Sequence, residues 1–204
     1  MKRTQTIILL VVGCVAGLST CVGMEHGPLS APGMFSSLGI VFSVFFALYA
    51  FSWEGTRSVW RIAGFIALTT VAFASATWAG VFAGARTTSN SAVFPIFLGG
   101  VVGSALVALG RYLFLADLQS WKKLLRGMCL LSLIGGVLGA VGLVFAPFLG
   151  IGILRFLRSL RLISPPNNAG AAFCSMFLVW QTCMAPLLVG FFPNSMRATQ
   201  KWGK

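Results

Sequence analysis

What restricts this chain most is where its charges are missing. Fifteen bases, three acids and one histidine serve 204 residues. All but Arg111 fall into clusters separated by apolar runs at 7–24, 34–53, 62–85, 92–115, 128–152 and 169–192. Each run is close to the roughly 17 to 25 residues that carry a helix across a bilayer core. Only 9% of the residues are charged, against about a quarter in a soluble domain. Such a chain cannot clothe a water-facing surface. The runs are also too long and too uniformly apolar for the alternating strands of a membrane barrel. The reading is an all-α integral membrane protein, a single polytopic domain built as a bundle of about six transmembrane helices.

Glycine and alanine mark the faces on which those helices pack. Gly13 and Gly17 recur four residues apart, as do Ala76, Gly80 and Gly84, and then Gly99 and Gly103. Small residues at this spacing let two backbones approach closely. The first run follows Lys2 and Arg3 and reads as an uncleaved first span rather than a removed leader. Arg111 lies one turn inside the end of the fourth run, from where its long side chain is expected to snorkel outward. Asp117, Lys122, Lys123 and Arg126 read as a cytoplasmic connection.

The net charge of +12 would suggest nucleic acid in a soluble domain. Here the bases flank apolar runs, where they orient the chain and meet anionic headgroups, so nucleic acid is set aside. The expected partners are the lipid bilayer with its anionic headgroups, and a membrane protein or a second copy of the chain. Cys14, Cys21, Cys129, Cys174 and Cys183 form no Cys-x-x-Cys pair and read as small packing residues. With a single histidine, no cofactor or metal site is expected.

The stretch 127–154 decides the topology. Its 28 charge-free residues would cover roughly 42 Å as straight helix, more than one crossing needs, and Pro147 interrupts its hydrogen bonding. With six full crossings and a cytoplasmic N-terminus, 11 of the 15 bases lie inside and Arg86, Arg155, Arg158 and Arg161 outside. If the stretch instead dips in and returns, three arginines and three tail bases exchange sides, and the count is again 11 to 4. The positive-inside rule therefore ties. Irregular backbone in lipid costs several kcal/mol per free amide, which favours six crossings. A bacterial inner membrane is the expected location.

Three places invite function. Arg155, Arg158 and Arg161 recur every third residue, with Phe156, Leu160 and Ile163 opposite, as in an amphipathic helix that rests on anionic lipid or substrate. Gln181 and Thr182 form a midplane polar site, and Pro186 frees the Thr182 carbonyl. Glu25 and His26 sit in a loop, with Cys21 one turn earlier as a possible nucleophile. No catalytic set assembles from these. The function expected is a small transporter-like bundle or an accessory membrane subunit. The alternatives are an enzyme acting on lipid-linked substrates, or a lipid- or charge-responsive element built on the arginine helix.

Overall fold

The computed structural model describes residues 3–26, 31–86, 92–116, 120–163 and 168–193, and side chains there except those of 23–38 and 168–171. Seven α-helices carry these residues: α1 (Arg3–His26), α2 (Ala31–Trp53), α3 (Val59–Arg86), α4 (Val93–Gly110), α5 (Trp121–Val144), α6 (Ile151–Ser159) and α7 (Asn168–Phe191). Two π-helical turns, Arg111–Leu115 and Ala146–Gly150, extend α4 and join α5 to α6. No strand occurs among the described residues. Five helices are long and apolar enough to cross a membrane, and α2 adds the apolar segment Gly39–Trp53. Apolar runs with no water to satisfy their amides fold this way because a helix closes every backbone hydrogen bond within itself.

The long helices form a ring. In chain order α1, α2, α3, α4, α5 and α7 each pack on the next, and α7 closes on α1. Neighbours run antiparallel throughout. Gln5 of α1 meets Tyr49 near the end of α2, Phe46 of α2 packs against Phe65 of α3 with the rings tilted, and Gly99 of α4 lies against Ala76 of α3. In α5, Gly127 faces Phe192 while Gly142 faces Met176, so α5 and α7 run the full length of one another in opposite senses. The stretch that sequence left open therefore traverses the bundle instead of doubling back. Arg3, Glu54, Arg111, Trp121 and Phe192 share one end of the ring, called here the proximal end. Arg86, Cys21, Cys174 and α6 share the other, the distal end.

The small residues close the ring. A Cβ on Gly17 would stand 2.8 Å from the Leu178 Cα, and one on Gly100 would stand 2.6 Å from the Gly135 carbonyl oxygen. Only hydrogen fits at these crossings. Gly100→Val is expected to push α4 off α5 and to destabilise the fold by about 1–3 kcal/mol, the usual range for overpacking. Gly152→Ala, where a Cβ meets nothing within 4 Å, serves as the silent control. Thermal unfolding of both proteins in detergent would check the difference.

Several expectations are corrected. α5 begins at Trp121, seven residues before the expected span, so Lys122, Lys123 and Arg126 belong to its first turns and not to a separate connection. Its α-helical part ends at Val144, where Pro147 of the following π turn withholds an amide. Arg111 does not snorkel: its relative exposure is 0%. The π turn that starts at Arg111 carries one more residue per turn than an α-helix, and its guanidinium finds an acid within the bundle (below).

The α6 arginines also differ from expectation. Arg155 and Arg158 are exposed on α6, but the helix stops at Ser159. Arg161 adopts a left-handed conformation, φ 58°. The Leu162 amide then donates back to the Leu157 carbonyl, and that of Arg161 to Arg158, which is how a left-handed residue closes a helix C-terminus. Leu154, Leu157 and Ile163 are the buried side chains, while Phe156 and Leu160 are exposed.

Candidate functional site

At the proximal end, Glu54 follows the last turn of α2 and Arg111 begins the π turn after α4. The Arg111 guanidinium grips the Glu54 carboxylate with both terminal nitrogens, Nη1 to Oε2 at 2.5 Å and Nη2 to Oε1 at 2.6 Å. Its Nε donates to the Phe192 carbonyl oxygen at 3.1 Å, and its plane lies over the Phe46 ring. Glu54 is only 4% exposed. A paired-fork contact of this kind is the strong form of a charged hydrogen bond. Arg61 of α3 completes the clamp by donating to the Phe114 and Ala116 carbonyls at 2.6 and 2.9 Å, oxygens at the end of the π turn. Four chain segments, the ends of α2 and α7, the start of α3 and the π turn after α4, are thus tied together by charge, and the ion pair is locked rather than available to a substrate.

Midway along the bundle an aromatic layer fills the ring. Phe42, Phe73 and Trp180 meet with ring centroids 5.5 to 6.2 Å apart, and Phe177 stacks on Phe73 at 5.8 Å. The polar edge of Trp180 is satisfied, since its Nε1 donates to Ser104 Oγ at 3.0 Å. Gln181 is also committed, with Nε2 donating to Thr20 Oγ1 across the α1–α7 contact at 3.1 Å. Its neighbour Thr182 has a buried hydroxyl with no partner among the described residues. Polar groups at this depth therefore bond mostly to one another.

Above the aromatic layer, toward the distal end, a cavity of about 370 Å³ opens between α3, α4, α5 and α7. Phe73, Phe177 and Trp180 form its floor, and Gly80, Gly99, Gly100, Gly103 and Gly139 withdraw from its walls. Thr77 and Trp180 bring the only polar side-chain atoms to this lining. Both are spent, Thr77 Oγ1 on the Phe73 carbonyl of its own helix and Trp180 on Ser104. Val81 lines the cavity too yet is 59% exposed, which places the mouth beside it. From Val81 to Phe73 is eight residues of α3, a depth of roughly 12 Å. The volume lies within the range of about 300–1,000 Å³ typical of ligand pockets, and the lining suits hydrocarbon.

The distal end itself is basic and covalently tied. Cys21 of α1 and Cys174 of α7 form a disulfide, with Cα atoms 5.1 Å apart. This corrects the reading of all five cysteines as packing residues; Cys14, Cys129 and Cys183 are free thiols. Leu154, Leu157 and Ile163 pack on the disulfide, which seats α6 and leaves Arg155 and Arg158 outward. The pairing also removes Cys21 as a nucleophile beside His26 while the bond is intact. Glu25 and His26 lie in the last turn of α1, but their side chains lie outside the described residues.

The sequence candidates are therefore not brought together. Gln181 and Thr182 sit inside the α1–α7 contact, the arginines sit on the distal rim, and the cavity is separate from both. The cavity was visible in sequence only as the glycine stripe 99–103, which reads equally as a packing face. The Glu54–Arg111 pair did carry a signal, because an arginine inside an apolar run generally has a partner there. No family model, curated protein or solved structure matches this chain.

Proposed function

We propose that the chain is a six-crossing integral membrane protein, with both ends of the bundle's chain cytoplasmic, that acts as a small non-catalytic bundle receiving an apolar, membrane-dissolved molecule. Two features support the orientation. Disulfides persist on the oxidising side of a membrane, and the Cys21–Cys174 bond lies at the distal end with Arg86 and the α6 arginines. The remaining 11 bases then belong to the cytoplasmic side, in keeping with the positive-inside rule. Reporter fusions after Lys204 and between Pro165 and Pro166 are expected to read cytoplasmic and external respectively. An external tail with an internal proline pair would sink the orientation.

The observation that carries the function is the cavity. Its lining offers no charged side chain, so it presents no side-chain acid or base for proton-transfer chemistry. Hydrocarbon entering it meets glycine backbones, aliphatic side chains and aromatic faces. Mass spectrometry of the protein released from membranes in mild detergent is expected to find an apolar molecule bound. Thr77→Trp, which sets an indole into the cavity, should weaken retention of that molecule while leaving the folded bundle intact. A wild-type protein without a bound apolar species would overturn the reading.

A further inference from the structure

We infer that α6 is a lipid-binding helix, laid along the distal membrane surface with Arg155 and Arg158 on the phosphates of anionic phospholipids. This surface is separate from the cavity and binds whatever the cavity receives. Depth is the first support. Cys21 lies three residues inside the end of the run 7–24, and Cys174 five residues inside the start of 169–192, or roughly 4.5 and 7.5 Å of helix. Leu154 and Leu157 pack on the disulfide that these cysteines form. Their helix therefore rests just beneath the ends of the apolar runs, the depth at which surface helices embed their apolar side. It has also turned away from the axis of α5. Gly142 of α5 is level with Met176, and twelve more residues of straight helix would carry Leu154 roughly 18 Å beyond that level. Instead Leu154 joins the cluster at Cys174, only two residues from Met176.

The second support is that α6 presents a different kind of side chain to each of three sides. Leu154 and Leu157 form the seated side. Phe156 and Leu160 lie on one flank, roughly 100° around the helix, and are 58% and 52% exposed. Arg155 and Arg158 lie on the other flank, also roughly 100° around, and are exposed as well. A helix set against a bundle at a bilayer surface has these same three surroundings: protein beside it, hydrocarbon beneath and headgroups above.

Charge complementarity names the headgroup. The one acid whose side chain is described, Glu54, is held by Arg111 at the opposite end of the bundle. Arg155 and Arg158 are three residues apart and so are neighbours on the helix surface. Guanidinium matches phosphate oxygens with paired hydrogen bonds, and a basic flank above an apolar one selects anionic lipid.

The test titrates the protein in detergent with phosphatidylglycerol or phosphatidylcholine and counts retained lipids by native mass spectrometry. Wild type is expected to retain its first phosphatidylglycerol at about a tenfold lower concentration than phosphatidylcholine, the factor that one charged contact supplies. Arg155→Gln/Arg158→Gln should remove that preference at an unchanged melting temperature. Arg57→Gln/Lys122→Gln, which removes two exposed bases at the proximal end, should keep it. Equal retention of both lipids by wild type would overturn the inference. So would a preference that survives in the α6 variant, or one that the proximal variant loses to the same extent. Displacement of phosphatidylglycerol by excess inorganic phosphate would show that the arginines bind free phosphate, and the lipid assignment would fail. Placement is read separately in phosphatidylglycerol nanodiscs. Phe156→Trp adds one indole to the wild-type emission, and brominated acyl chains should quench the added signal. Added emission that responds only to aqueous iodide would place α6 in water and remove the inference.

Discussion

Arg111→Met is expected to destabilise the bundle by about 3–5 kcal/mol, the cost of leaving a buried charge without its partner. Glu54 would keep its desolvated carboxylate, and the Phe192 carbonyl would lose its donor. The end of α4 would be released from the ends of both α2 and α7. The double variant Glu54→Leu/Arg111→Met is expected to recover most of the loss. Well-packed apolar side chains often replace a buried ion pair with no net cost, because both charges then escape desolvation together. Thermal aggregation of the two single variants and the double variant in detergent gives the coupling. A single variant as stable as wild type would show that the clamp contributes nothing to folding.

The second large effect is expected from Cys21→Ser, Cys174→Ser or both. The bond joins residues 153 apart. For a random coil, cross-linking of a 100-residue loop is worth about 4.7 kcal/mol. Helices that remain inserted in a bilayer have less freedom to lose, so a loss near the low end of the usual range, about 2 kcal/mol, is expected. The readout is the melting temperature with and without reductant. Wild type should fall to the level of the double serine variant on reduction, and the variant should not respond. A second consequence is local: without the bond, Leu154, Leu157 and Ile163 lose part of their seat. Protease cleavage after Arg155 or Arg158 should then rise. If reduction changes neither stability nor cleavage, the disulfide is not what seats α6.

How much of this was legible in advance differs from residue to residue. The existence of the long helices was, because run length and missing charge are local properties and a bilayer-length apolar run has few other solutions. The first, third and fourth runs lie almost wholly within α1, α3 and α4 with its π turn, and Gly17 and Gly99 sit at helix crossings as their spacing implied. The start of α5 was not legible, since Lys122 and Lys123 look like a connection until the helix that continues through them is seen. Nor was Arg161, because nothing in the sequence marks a non-glycine residue as the left-handed cap of a helix.

By itself, then, the sequence determined the helical class and the small-residue faces. Only the tertiary structure decided that α5 runs antiparallel to α7, that Cys21 meets Cys174, that Arg111 turns inward to Glu54, and that Gly99, Gly100, Gly103 and Gly139 border a cavity. Each of these joins residues tens to more than a hundred positions apart. The physical reason is common to all four: helix formation depends on the chain's immediate neighbours, whereas contact across the ring depends on the register in which six similar apolar surfaces pack. Composition and spacing carry almost no information about that register.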